Sequence, residues 1–130
     1  MNDTNVQAVR EVVEQYVKGT YQADVELLRS CFHPKAVMNG YLVEQCVLAT
    51  PEPFFQDVGS KPSFSSTNSP YRGEIVAIDV VGNVANVILK ETGFGGMAFT
   101  NYFHLIREDQ AWTIISKTFT TELVCLVKIL

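Results

Sequence analysis

The second half of the chain constrains its fold most. Residues 71–80, 84–91, 97–107 and 111–122 are four runs rich in β-branched and aromatic residues. They are separated by Val81-Gly82-Asn83, Gly93-Phe94-Gly95-Gly96 and Glu108-Asp109-Gln110, short clusters with turn chemistry. Strands joined by such short connections pair antiparallel. The first half reads differently. In residues 4–18, Val6, Val9, Val13, Tyr16 and Val17 recur at spacings of three and four, which places them on one helical stripe. Thr4 is placed to cap that helix, and Gly19 to stop it. Asp24 caps a second, shorter helix with Val25, Leu28, Cys31 and Phe32 facing inward, ended by His33-Pro34. Residues 36–43 predict a short strand. Thr50-Pro51 opens a third helix that runs to about Val58, with Gly59 after it. Residues 59–70 are rich in Ser, Pro and Asn and read as a surface loop or lid. Helices first and a meander of strands second predict an α+β fold, with the helices packed on one face of a curved sheet.

Size and charge narrow the class. A chain of 130 residues is expected to form a single domain, 1–130. Apolar residues make up 47% of it and charged residues 18%, which excludes disorder as the dominant state. The net charge is −4 and no Lys/Arg run occurs, so no footprint for nucleic acid is expected. No apolar run is long enough to span a membrane, and Met1-Asn2-Asp3-Thr4-Asn5 does not open a secretory signal. Cys31, Cys46 and Cys125 are an odd set without C-x-x-C spacing, which predicts reduced thiols in a cytoplasmic protein. No spacing of His, Cys, Asp or Glu predicts a metal, and no cofactor motif is present.

Two blocks carry a family likeness. One is Asp24-Val25-Glu26-Leu27-Leu28-Arg29-Ser30-Cys31-Phe32-His33-Pro34. The other is Phe99-Thr100-Asn101-Tyr102-Phe103-His104-Leu105, followed by Trp112-Thr113-Ile114-Ile115-Ser116-Lys117-Thr118-Phe119. With the element order, they resemble the nuclear-transport-factor-2-like superfamily, and within it the small bacterial family labelled Putative lumazine-binding. The resemblance implies a cone-shaped, cystatin-like fold of about three N-terminal helices on a mostly antiparallel sheet. It also implies a pocket between helices and sheet, and a homodimer.

The chemistry best understood on this fold is that of ketosteroid isomerase. There a helix-1 tyrosine and a neutral aspartic acid hold an oxyanion while a second aspartate shuttles the proton. On that resemblance Tyr16 falls on the tyrosine, but the shuttling aspartate's position is Gly40, and the neutral acid's falls near Thr100 or Asn101. An enzymatic role is therefore not favoured. His104 points into the pocket if the Tyr102 face of its strand is the concave one, and would then be a candidate acid or base. His33, at a helix end, is read as structural.

Binding is the favoured reading. Eight Phe, five Tyr and one Trp are available, and Tyr16, Phe32, Phe54 and Phe55 are expected to line the cone, with Phe94 at its mouth. Tyr16, Asn101 and His104 are the polar candidates. The expected ligand is a small molecule, and a flat heteroaromatic suits stacking. The alternative is a lyase- or isomerase-type enzyme using His104 with Tyr16 or Asn101. Val76, Ile78, Val80, Val87, Leu89, Ile115 and Phe119 cannot all face the helices, so an apolar outer sheet face and a homodimer through it are expected. The apolar tail 123–130 is placed to extend the last strand or cover an edge.

Overall fold

In the computed structural model, which describes residues 3–124, helix α1 (Asp3–Gln22) continues through Gly19, where the sequence predicts its end. Gly19 provides space instead. A β-carbon there would stand 3.0 Å from Leu28 Cγ, so its absence lets the next helix pack closely. The helix stops at Ala23, whose φ of 55° is left-handed. Asp24 N–H donates to Gly19 O at 2.9 Å and Ala23 N–H to Thr20 O at 3.4 Å, the bond pair that closes a helix around a left-handed residue. Thr4 lies inside α1 and does not cap it.

Asp24 caps α2 (Val25–Cys31), accepting from Leu27 N–H at 3.1 Å. Leu28 and Cys31 are buried. The chain passes directly into β1 (Phe32–Leu42), a longer strand than the sequence predicts. His33 therefore stands in a strand and not at a helix end. It pairs with Glu108 at 3.1 Å and accepts from Lys35 N–H at 3.0 Å. A turn through Val43 (φ 58°) returns the chain as β2 (Gln45–Ala49), a strand the sequence reading lacks. Then comes α3 (Glu52–Gly59), capped by Pro51 rather than Thr50 and without a side-chain cap bond. The Ser-rich loop after it is pinned: Ser65 N–H donates to Tyr21 O at 3.0 Å, and Phe64 stacks on Tyr71 with ring centres 5.1 Å apart.

The four β-rich runs form β3 (Arg72–Val81), β4 (Val84–Phe94), β5 (Met97–Glu108) and β6 (Ala111–Leu123). Together with β1 and β2 they make one sheet in the order β2-β1-β6-β5-β4-β3. Only the β1–β6 pair is parallel. The three helices lie against one face of this sheet and the core fills the space between. This is the α+β architecture expected. No helix among the described residues is long and apolar enough to cross a membrane.

Two bulges decide which side chains reach the core. On β5, Phe99, Asn101, Phe103 and Leu105 are buried while Tyr102 and His104 are exposed. The concave face is thus not the Tyr102 face, which corrects the placement of His104 in the pocket. On β6, Trp112 and Ile114 are buried, and strict alternation would bury Ser116 and Thr118 next. The pairing instead steps from Leu105–Ile114 to His104–Ser116, leaving Ile115 as an extra residue. Lys117 and Phe119 turn inward as a result. On β3 the step from Ile75–Leu89 to Ala77–Ile88 leaves Val76 extra and 52% exposed, with Ile75, Ile78 and Val80 packed on the core. Of the seven residues expected to divide between the faces, Val87, Leu89 and Phe119 are core, and only Val76 and Ile115 stay outside it.

Val124 N–H donates to Gly96 O at 3.0 Å, so β6 pairing reaches the β4–β5 turn. The rest of the tail, with Cys125, lies outside the described residues. Cys31 and Cys46 are free thiols.

Candidate functional site

The re-aimed Lys117 is the centre of the site. It is 2% exposed, the only buried lysine among the described residues. Its Nζ donates to Tyr16 Oη at 2.7 Å. Around it stand the rings of Tyr16, Phe54, Phe99 and Phe119, with centres 5.1, 4.6, 5.4 and 5.4 Å from Nζ. An ammonium over ring faces is held by their quadrupoles. Burial still dominates, and the Lys117 pKa is lowered to about 8, with the charge of Glu91 pulling the other way.

Glu91 is the second buried charge, 1% exposed on β4. Its carboxyl accepts from Tyr71 Oη at 2.6 Å and from Asn101 Nδ2 at 2.7 Å. Asn101 Nδ2 also donates to Leu89 O at 3.1 Å. Two acceptors on one side fix which way this amide points. Its Oδ1 is left buried with no hydrogen-bond partner among the described residues. Burial raises the pKa of both Tyr16 and Tyr71, and the Glu91 charge raises them further. Both phenols thus stay protonated, able to donate.

These groups meet a cavity of about 350 Å³. Its walls come from β1 and β2 (Met38, Leu42, Val47, Ala49), from α3 (Pro53, Phe54) and from the inner sheet face (Phe99, Phe119). Phe94 and Met97 close it beside the β4–β5 turn, and Lys117 and Glu91 place charge inside it. Asp57 and Lys61, paired at 2.9 Å, lie on its α3 side. A smaller cavity of about 190 Å³ adjoins across the same Phe94 and Met97, under the Ser-rich loop.

The sequence-predicted residues divide. Phe54 and Phe94 line the cavity. Tyr16 sits behind it as the partner of Lys117, with its ring 5.1 Å from Phe103 and 5.9 Å from Phe54. Asn101 is buried against Glu91. Phe32 and Phe55 pack on each other at 5.4 Å in the core and do not line the cavity. His104 stands on the outer face, near Ser116 at 3.4 Å, beside a separate hollow with Asp79 and Ile115. It shares no cavity with Tyr16. Gly40 is buried directly against its β6 partner Phe119: a β-carbon would stand 2.7 Å from Phe119 Cγ and closer still to the backbone carbonyl oxygen. The position that a proton-shuttling aspartate would occupy therefore has no room for a side chain.

Neither Lys117 nor Glu91 is among the site residues predicted from sequence, though each leaves a trace. Glu91 keeps the parity of the buried Val87 and Leu89 on its strand. Ile114-Ile115 doubles an apolar residue where a strand should alternate, which is a bulge signal just before Lys117.

Comparison with known proteins agrees with this fold. An NTF2-like protein of unknown function from Shewanella baltica OS155 is 25% identical, with 94% of this chain and 97% of that one covered and a TM-score of 0.83. A second, from Silicibacter pomeroyi DSS-3, is 19% identical over 94% and 99% of the two chains, also at 0.83. A structure described as a putative dehydratase of the NTF2-like family from Streptomyces avermitilis is 16% identical over 95% and 100%, at 0.66. The last two share the fold alone with this chain. No curated protein matches it in sequence. Residues 4–120 match the family described as Putative lumazine-binding, and the chain belongs to that family within the NTF2-like fold.

Proposed function

We propose that this protein binds a small, flat organic molecule bearing acceptor groups in the cavity between α3, β1–β2 and the inner sheet face. One observation carries the reading. An apolar cavity of about 350 Å³ holds a buried ammonium, Lys117, encircled by aromatic rings. Ligand pockets combine such walls with a few placed polar groups. Phe54, Phe94 and Phe99 offer ring faces for stacking, and Lys117 offers a donor to a ring carbonyl. A lumazine, a fused heteroaromatic dione, has this chemistry, and the family's description points the same way.

Thermal shift tests the reading. Lumazine, a pterin and riboflavin are each added to the wild type, Lys117→Met and His104→Ala, because a ligand that binds the native state raises Tm with saturation. At least one of the three is expected to raise the wild-type and His104→Ala Tm and leave Lys117→Met unmoved. Flat responses from the wild type to all three would sink the proposal. Acid–base chemistry through His104 has no support from its place outside the cavity, and loss of binding in His104→Ala would restore it.

We also propose that the outer sheet face joins two copies. Tyr41, Leu48, Val76 and Tyr102 are 50%, 78%, 52% and 48% exposed, and apolar surface of this kind marks partner contacts. Sedimentation of the wild type beside Tyr102→Arg decides: a dimer that dissociates on substitution is expected, and a wild-type monomer at high concentration refutes it.

A further inference from the structure

We propose that Lys117 is a covalent anchor: its amine forms an imine with an aldehyde or ketone carbon of a molecule seated in the aromatic cavity. The inference rests on the binding reading above and names the class of ligand, an aromatic carbonyl compound.

The placement favours this chemistry. Lys117 is the one described lysine withheld from solvent, and it lines the cavity rather than pointing away from it. Lys18, Lys35, Lys61 and Lys90 are exposed. A lysine desolvated in an apolar pocket is available as the free amine near neutral pH, as imine-forming lysines must be. The charged and titratable groups facing it are Tyr16 from α1, Glu91 from β4 and, through Glu91, Tyr71 just before β3. Asp57 and Lys61 on α3 and the loop after it neutralise each other in an ion pair.

The step balances without an oxidant or a reductant. The uncharged Nζ gives its lone pair to the carbonyl carbon, a C–N bond forms, and the C–O π pair moves to oxygen. A proton passes from nitrogen to that oxygen; Tyr16 Oη, 2.7 Å from Nζ, is placed to relay it. The hydroxyl then leaves with the second nitrogen-derived proton as water, and C=N forms. Amine and carbonyl become imine and water. The iminium, when protonated, is a cation in the same ring of aromatic faces that now holds the ammonium. Attack is open because Lys117 lines the cavity, and Glu91, which lines it too, supplies a counter-charge.

Reductive trapping tests it. The wild type is incubated with 2-naphthaldehyde and cyanoborohydride at pH 8, and modified lysines are mapped by peptide mass spectrometry. Lys117 is expected to label at least about tenfold faster than any exposed lysine, since at pH 8 an amine with a pKa of about 8 is half uncharged while an ordinary lysine is almost wholly protonated. That preference is expected to vanish in urea, where every lysine is alike, and the native rate to rise through about pH 8 rather than pH 10.5. 2-Naphthalenemethanol, which fits the same space and forms no imine, separates the two readings by thermal shift. If the alcohol raises Tm while only exposed lysines label, the cavity binds and the imine proposal is wrong. If neither occurs, the binding reading and the imine fall together.

Discussion

Lys117 Nζ and Tyr16 Oη, 101 residues apart in sequence, meet at 2.7 Å inside the core. One hydrogen bond therefore ties the last strand to the first helix at the cavity's inner end. It exists because Ile115 is an extra residue in β6 that turns Lys117 inward. The bond also fixes the direction of the proton: ammonium donates, and the phenol, kept protonated by burial, accepts on its oxygen and stays able to donate in turn.

Lys117→Met is expected to make the protein more stable at pH 7 while abolishing ligand binding. A buried ammonium is held at a penalty that an apolar side chain of similar length avoids, worth about 3 kcal/mol here. The pH dependence follows from the direction of the shift. Below pH 8 the lysine is protonated folded and unfolded, and the penalty is present in full. Between about 8 and 10.5 the folded chain has released the proton and the unfolded chain still holds it, so stability rises with pH. The wild type is expected to gain about 2 kcal/mol on the variant between pH 8 and 10. Cys31, raised by burial to about 12, and the two raised tyrosines pull the other way in both proteins. Denaturant unfolding of the pair across this range therefore isolates Lys117. A stability difference independent of pH would contradict the assignment.

Glu91→Gln is expected to lower stability by about 1–3 kcal/mol, because a glutamine amide cannot accept from both Tyr71 and Asn101 without turning a donor toward one of them. The carboxyl's charge helps raise Tyr16 and Tyr71, so its removal should bring their ionisation to lower pH. Denaturant midpoints of the wild type and the variant at pH 7 measure the loss of stability. A variant as stable as the wild type would show that the bonds from Tyr71 and Asn101 to Glu91 add nothing.

The layout of strands and the family were legible because they depend on local signals. Turn residues separate the four runs of β3–β6, and Asp24 caps α2 as its chemistry predicts. The charged pair of the site was not legible, since its placement depends on phase. One inserted residue, Ile115, inverts the facing of everything after it on β6, and the pattern around Lys117 alone places it outward with Thr113. His104 fails for the complementary reason: β5 has a regular alternation, but nothing local says which of its two faces meets the helices. The strand β2 was missed because its pattern is mostly exposed, at the sheet edge. Tyr16, Phe54 and Phe94 were legible as aromatic members of the site, and the charges they surround were not.

Gly40→Ala tests the contact that excludes an acid at that position. The new methyl would press on Phe119 at Cγ and on its backbone, and backbone cannot swing away as a side-chain tip can. Overpacking of this kind costs about 3 kcal/mol and should lower Tm by roughly 10 °C for a chain of this size. Phe119 is also a wall of the cavity, so ligand shifts should weaken together with Tm. A variant with wild-type Tm would mean that β1 and β6 can part at Gly40, and that a larger residue fits there after all.

Ala23→Gly examines the true end of α1. Ala23 holds φ at 55°, a conformation in which its β-carbon crowds the following carbonyl. Glycine adopts it freely but gives up more freedom on folding. The first effect is the larger, so a net gain of about 0.5–1 kcal/mol is expected. Gly19→Ala is the counterpart, within helical backbone where alanine is favoured by propensity. Its methyl meets Leu28 Cγ at 3.0 Å, which opposes that preference. Stabilisation at 23 together with destabilisation at 19 is the pattern expected from chemical unfolding. The reverse pattern would return the helix stop to Gly19, where the sequence alone places it.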